Sequence, residues 1–248
     1  VTTPRPQPST LNPALIVFAK APIPGQVKTR LCPPLTPDEA ATLHGSFVID
    51  TLERTKLTAT QLKLQFDRYL ACAPSSTHVF FKIMEERHGV KVIDQVGDDL
   101  GARMNQAFDV LFKKGYRQVL IIGTDVPTLP LDYFKQTLTL LDSHDLVLGP
   151  ALDGGYYLIG LKRMAPELFA NIPWSTDHVL KRTQENAVTL GLKEALLEPW
   201  RDVDRVEDLQ ALIEANIADS KKPKNVRTFS NRTAGVLETL AKRLRSRA

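Results

Sequence analysis

Cysteine is almost missing from this chain: there are two in 248 residues, Cys32 and Cys72. They cannot build a multi-bridge framework and match neither a C-x-x-C redox pair nor a zinc-ligand cluster, so a reducing cytoplasm is the expected setting. Long apolar runs are missing too. No stretch approaches the ~20 residues of a membrane helix, and residues 1–13 are polar and proline-rich rather than signal-like, so they are expected to be a flexible start with no membrane span. Several catalytic signatures are also lacking. His44, His78, His88, His144 and His178 form no H-E-x-x-H pair, and there is no G-x-S-x-G elbow, which removes zinc-hydrolase and serine-hydrolase readings. Neither a G-x-G-x-x-G fingerprint nor a G-x-x-x-x-G-K-[ST] loop is present, although residues 25–29 faintly resemble the latter.

What is present is ordinary globular composition, with 43% apolar and 24% charged residues, enough for one large domain with a core. The net charge of +4 is unevenly placed. Residues 215–248 hold nine Lys/Arg against two Asp/Glu, leaving the remainder at −3. A nucleic-acid partner is therefore not expected, because the basicity does not cover a folded face.

Patterning alternates between strands and helices. Apolar runs at residues 14–19, 68–73, 90–96, 119–122, 146–148 and 156–161 read as strands, with helices expected at 36–57, after Pro74, and at 101–114, 131–141, 177–190 and 206–218. Thr36, Pro37 and Glu39 supply an N-cap, a first-turn proline and a capping-box glutamate. Such alternation implies an α/β fold with a mainly parallel sheet covered on both faces. A polar stretch at 220–227 reads as a linker, followed by a final helix capped by Asn231 with Val236, Leu237, Leu240 and Leu244 on one stripe. That helix is expected to lay its stripe on the body rather than to serve as a membrane or nucleic-acid arm.

In open α/β sheets ligands bind beyond the carboxyl ends of the strands, which directs attention to four segments. After the first strand, Lys20, Lys28 and Arg30 share a loop with Gly25, where backbone amides and cations would cradle phosphate oxygens. After the strongest strand comes Asp125 in Gly123-Thr124-Asp125, placed to hold Mg²⁺ or Mn²⁺ against a diphosphate. Asp202 and Asp204 alternate before a late helix, and either one would complete that site. Gln95, Gly97, Gly101 and Arg103 form a Gly-bracketed turn suited to a base or ribose, with Gln95 and Arg103 as donors and Asp98 or Asp99 as a helix cap. Asp153 beside Gly154, Gly155 and Tyr156, together with Trp174-Ser175-Thr176, would face an acceptor, and Thr176 is also expected to cap the helix after it.

The ordered set of 18–22, 28–31, 97–101, 123–125, 149–156, 174–176 and 202–204 resembles the radical-SAM/selenodomain-associated transferases, a family with a glycosyltransferase-A-like fold of the nucleotide-diphospho-sugar transferase superfamily. The resemblance spans about residues 14–212. It implies a single three-layer domain at 14–214, with a mainly parallel mixed sheet, followed by a basic linker and C-terminal helix at 215–248. It further implies a nucleotide-sugar or nucleoside-triphosphate donor, Lys28 and Arg30 on phosphates, and Asp125 with Asp204 on the metal. The leading expectation is metal-dependent glycosyl transfer to a small-molecule acceptor. Lys28 and Arg30 would neutralise the departing diphosphate, and Asp153 would activate the acceptor hydroxyl. Nucleotidyl transfer with pyrophosphate release, in the manner of guanylyl- or cytidylyltransferases, is the alternative. A non-catalytic nucleotide-binding or interaction module is the second. Where glycosyltransferases of this fold use D-x-D, this chain has Gly123-Thr124-Asp125, so only Asp125 carries over.

Overall fold

A computed structural model describes residues 12–246. The expected flexible start therefore lies outside the described residues up to position 11. Seven strands form one sheet in the order β3-β2-β1-β4-β6-β5-β7: β1 (Ala14–Lys20), β2 (Asp67–Ala73), β3 (Lys91–Asp94), β4 (Val119–Ile122), β5 (Leu146–Pro150), β6 (Tyr156–Leu161) and β7 (Glu194–Leu196). Strand β6 runs antiparallel to both its neighbours, and all other pairs are parallel. The sheet is thus mixed and mainly parallel, as expected.

Period-two alternation along β1 feeds both faces. Leu15, Val17 and Ala19 join a core with Val48, Leu52, Phe81, Phe134 and Leu141. Ala14 and Ile16 turn to the other side, where Met104, Phe108, Leu111 and Leu168 pack. The helices responsible are α1 (Pro37–Gln61), α2 (Val79–His88) and α4 (Asp132–Ser143) on the first face, with α3 (Leu100–Lys113) and α5 (Val179–Thr189) on the second. The result is three layers.

Helix α1 begins with the expected capping box: the Thr36 amide donates to Glu39 Oε2 at 2.8 Å, and the Glu39 amide to Thr36 Oγ1 at 3.3 Å. Three local expectations need correction. Strand β7 was not anticipated, because three partly exposed residues carry too little periodic signal. Thr176 does not cap α5; its hydroxyl donates to the Pro173 carbonyl and accepts the His178 amide, closing a turn before the helix. The cap of the last helix is Ser230, one residue earlier than Asn231, and its hydroxyl accepts the Thr233 amide at 3.0 Å.

That last helix, α7 (Asn231–Arg245), and the preceding α6 (Val206–Ser220) close a third apolar cluster with α1. Leu237 and Leu240 meet Leu43, Phe47, Leu209 and Leu212 there. Val203 is buried in the same cluster, which fixes the segment between β7 and α6 against the body.

Candidate functional site

The loop after β1 is held by buried Val27 and Leu31, and the residue between these anchors and the surface is Lys28 in the left-handed region at φ 50°. That backbone turns its side chain inward, where only 3% of it is exposed. A buried ammonium needs anionic and hydrogen-bonding partners. Lys28 Nζ lies 2.8 Å from Asp125 Oδ1 and 3.7 Å from Asp204 Oδ1, and donates to the Val203 carbonyl. Arg30, about half exposed at 49%, places Nη1 2.7 Å from Asp204 Oδ2.

Two backbone features bring these distant acids together. The Val203 amide donates to the Asp125 carbonyl at 2.9 Å, so the chain before α6 runs beside the loop after β4. With Val203 buried, the extended alternation sends Asp202 and Asp204 to the opposite side. Asp208 caps α6 by accepting the Arg205 amide at 2.9 Å, and it also accepts the Asp204 amide at 3.3 Å. It thereby positions Asp204 through the backbone.

The electrostatics are uneven. Burial pushes the Asp125 carboxyl up, but Lys28, then His44 and Lys20, outweigh it and hold that acid below its ordinary range. Asp202 goes the other way: burial first, then the nearby charges of Asp153, Asp204 and Asp125, push it up to about 6 against the pull of a backbone hydrogen bond. Asp153 stands next to it because the 151–153 strip runs alongside Trp200, with the Leu152 amide donating to the Trp200 carbonyl at 3.2 Å. Asp153 itself is exposed, and its Oδ1 accepts the Gly155 amide at 2.9 Å.

Sequence reasoning set His44 aside, yet its Nδ1 lies 4.0 Å from Asp125 Oδ1 and its Nε2 3.1 Å from the Lys20 carbonyl. Burial is the main reason its pKa is lowered, with Asp125 opposing and Lys28 adding to it. A signal existed: His44 is the polar member of the inward stripe Ala40, Leu43, His44, Phe47, Val48 on α1.

The remaining expected residues are engaged mainly in packing and in bonds within the protein. Gly101 packs against Trp174 so closely that a Cβ there would lie 2.5 Å from the indole. Gly154, at φ +91°, leaves no room either, since a Cβ would fall 2.3 Å from the Asp177 carbonyl oxygen. Gln95, anticipated as a donor to a ligand, uses its amide on the protein, and Arg103 commits its Nε there. Gln95 Nε2 reaches the carbonyls of Ala19 and Ala71 at 3.1 and 2.9 Å, and Arg103 Nε reaches Gly97 at 2.9 Å. Of the two cap candidates, Asp99 caps α3 through the Ala102 amide at 2.7 Å. Tyr156 packs into the second-face core. Gly25, at φ +77°, forms the exposed tip of the cation loop, and Lys20 lies exposed at the end of β1. Among the described residues, no hydrogen bond or ion pair ties Gly97, Gly101, Arg103 or Trp174 to the carboxylate cluster.

Among the described residues, no group of three or more His, Cys, Asp or Glu side chains is placed to hold a metal ion alone. Two carboxylates do converge on a single cation position, filled by Lys28 Nζ. Hard divalent cations, Mg²⁺ above all, are commonly held by one or two carboxylates and completed by water and substrate phosphates. The oxygen donors present suit such an ion, and Asp125 and Asp204 are the side chains that would hold it. A separate hollow of about 600 Å³ opens at the opposite edge of the sheet, among Arg117, Gln118, Asp142, Asp145, Lys162 and Arg163. Cations there are engaged at home, Lys162 on the Asp142 carbonyl at 3.1 Å and Arg163 on Asp145 at 3.3 Å.

Comparison with known proteins follows the same lines. Residues 56–176 match a family described as uncharacterized protein conserved in bacteria (DUF2064). A crystal structure from Desulfovibrio desulfuricans G20, described as a candidate nucleotide-diphospho-sugar transferase, is 31% identical with a TM-score of 0.81, covering 96% of this chain and 98% of that one. A cytidylyltransferase from Leptospira borgpetersenii serovar Hardjo-bovis shares the fold at a TM-score of 0.54 and 16% identity, covering 94% of this chain and 95% of that one. The 2-phospho-L-lactate guanylyltransferase of Methanocaldococcus infernus is 27% identical over 97 residues, which span 39% of this chain and 42% of that protein. No helix among the described residues is long and apolar enough to cross a membrane.

Proposed function

Because this chain belongs to the nucleotide-diphospho-sugar transferase superfamily, we propose that it transfers a group from a nucleotide donor with the help of Mg²⁺ or Mn²⁺, and that the group is a nucleotidyl unit. The observation that carries the reading is the meeting of Lys28, Arg30, Asp125 and Asp204, which stand up to 176 positions apart in sequence, at the carboxyl edge of the sheet. Two carboxylates from separate segments, with Gly123 where a D-x-D motif would put its first acid, suit a triphosphate better than a sugar diphosphate. The guanylyltransferase relative supports the same preference.

In this reading an oxygen of a phosphorylated small-molecule acceptor attacks the α-phosphorus of a nucleoside triphosphate. The new P–O bond forms as the α–β P–O bond breaks, and pyrophosphate leaves. Asp125 and Asp204 would hold the divalent ion, which when bound would neutralise polyphosphate charge. Arg30, with its exposed fork, and Lys20 stabilise charge gathering on the leaving pyrophosphate. His44 fixes the loop through the Lys20 carbonyl. The Gly97–Gly101 turn and Trp174 would border the base or acceptor.

Sugar transfer is the second reading, favoured by the description of the Desulfovibrio relative. There Asp153 would accept the proton of an acceptor hydroxyl. On its ordered motifs we also place the chain in the radical-SAM/selenodomain-associated branch, in the cytoplasm. Residues 14–214 would then be the transferase domain and 215–248 its extension.

A thermal-shift screen of the four nucleoside triphosphates and common nucleotide-sugars, each with and without Mn²⁺, tests this proposal. A Mn²⁺-dependent rise in Tm with a triphosphate, together with pyrophosphate release in the presence of phosphorylated acceptors, is expected. A rise confined to nucleotide-sugars would move the assignment to sugar transfer, and no rise with any nucleotide would refute both.

A further inference from the structure

The position that a divalent ion would take is already held by a cation of the protein itself. Lys28 Nζ lies 2.8 Å from Asp125 Oδ1 and 3.7 Å from Asp204 Oδ1, with the Val203 carbonyl as its third partner. Those three oxygens are the hard donors that Mg²⁺ or Mn²⁺ selects. With 3% of its side chain exposed, the ammonium has no water to fall back on, and it depends on this cage.

A divalent ion entering beside a retained ammonium would meet roughly double the Coulomb repulsion of two unit charges, at contact distance and shielded from solvent. Sharing the cage is therefore unfavourable, and exchange is the way out. Lysine is suited to exchange, since a compact charge rides on a flexible four-carbon stem. The left-handed backbone at Lys28 sits three residues after the exposed Gly25 tip, so the loop has a free side towards which the stem can swing. Nucleotide phosphates arriving there would offer the ammonium a replacement partner.

We propose that Lys28 is a resident cation that occupies the metal position in the nucleotide-free protein, and that metal binding expels it towards the phosphates of the donor. Metal and nucleotide then bind synergistically: each is weak alone, and each strengthens the other by the same factor. This inference rests on the metal-assisted reading above and adds the order in which the site charges. The exposed cations Lys20 and Arg30 receive the polyphosphate first, and Lys28 follows as the metal takes its cage.

The test is Mn²⁺ binding to nucleotide-free protein, measured by electron paramagnetic resonance of the free ion, in wild type, Lys28→Met and the double variant Lys28→Met with Asp125→Asn. Methionine keeps most of the stem volume without the charge. Lys28→Met is expected to bind Mn²⁺ about tenfold or more tightly than wild type, within the usual span of coupling between sites, and the double variant is expected to lose that gain. Equal or weaker binding in Lys28→Met overturns the proposal, as does a gain that survives Asp125→Asn. Should Lys28→Met not fold, the wild type answers alone: acetylation of Lys28, read by mass spectrometry, is expected to rise when Mn²⁺ is added without nucleotide. Unchanged labelling overturns the exchange.

The two levels separate cleanly. A Mn²⁺-dependent nucleotide shift in wild type without tightening in Lys28→Met would leave the transferase reading standing and remove the exchange. Tight Mn²⁺ in Lys28→Met, with no nucleotide shift in any protein, would do the reverse.

Discussion

The chain gathers acids and bases in two places, and their chemistry is opposite. At the junction of α1, α6 and α7 the two buried carboxylates are saturated. Buried Asp50 accepts from Ser230 at 2.6 Å, from Arg232 at 2.7 Å and from Thr233 at 2.5 Å. Asp219 accepts the Thr228 and Phe229 amides at 2.8 and 3.1 Å and pairs with Lys222 at 2.9 Å. At the carboxyl edge of the sheet, Asp125, Asp153, Asp202 and Asp204 outnumber the cations that touch them, and burial first, then the neighbouring acids, push Asp202 up to about 6. Charge that is fully answered holds a fold together; charge left in surplus is kept for a ligand.

The largest effect should come from breaking the saturated side. Asp50→Ala strands the buried Thr233 hydroxyl and the half-buried Ser230 hydroxyl and leaves exposed Arg232 to Glu53, a loss of about 3 kcal/mol at roughly 1–3 kcal/mol per stranded group. Denaturant unfolding should show that loss, with nucleotide binding retained wherever the variant is folded. If Asp50→Ala unfolds like wild type, the junction is not what anchors α7.

Next comes the surplus side. Asp125→Asn keeps an oxygen for Lys28, so its stability cost is expected to stay near ~1 kcal/mol, the typical worth of one hydrogen bond. Metal-dependent nucleotide affinity should fall about 100-fold, the upper range for damaged metal sites. Calorimetry with and without Mn²⁺ reads both numbers. Unchanged metal-dependent affinity would remove Asp125 from the site.

How much of this contrast was legible in the sequence depends on distance along the chain. Local signals came through: the capping box at Thr36, the apolar strands, and the loop cations after β1. Strand β7 did not, because three edge residues have no period to read. The pairing of Asp125 with Asp204, rather than with Asp202 alone, could be named only through family resemblance. What joins them is a backbone hydrogen bond from Val203 to Asp125 that crosses from one strand end to another. His44 was passed over for a related reason: its place on the inward stripe of α1 could be read, but its contact with the Lys20 carbonyl, 24 residues away, could not. The final helix lays its apolar stripe on the body as expected, but its ion pairs with Asp50 and Glu53 on α1 could not be read from any local pattern.

A third, smaller effect sharpens the comparison through pH. Burial raises the Asp219 carboxyl, but Lys222 and the two amides outweigh it, so its folded pKa lies below its ordinary value. Glu39 behaves alike, with burial opposed by Thr36 and by Arg243 on α7. A depressed acid adds stability that is complete above the unfolded pKa and is lost as pH falls through the folded one. Acid should therefore loosen the junction below about pH 4, where free carboxylates titrate. Asp219→Asn should lower stability at neutral pH by about 2 kcal/mol and flatten the acid dependence. A variant whose acid melting curve overlays wild type would contradict the assignment.

The smallest effect has the opposite sign, and it bears most directly on what the surplus is for. Asp202 has a raised folded pKa, so between its unfolded value and about 6 the folded state holds the extra proton and stability declines as pH rises. At neutral pH the ionised Asp202 faces Asp153, Asp204 and Asp125 and weakens the fold. Asp202→Asn removes one of the four charges while keeping the shape, and after discounting for solvent screening it should stabilise the protein by about 1 kcal/mol at pH 7. The gain should vanish at pH 4, where wild-type Asp202 is already protonated. Metal-dependent nucleotide binding should weaken in the same variant, because the surplus negative charge that costs stability is what draws a divalent ion to the edge of the sheet. A stabilised Asp202→Asn with undiminished metal binding would mean that Asp125 and Asp204 suffice, and that the strain at Asp202 serves another partner.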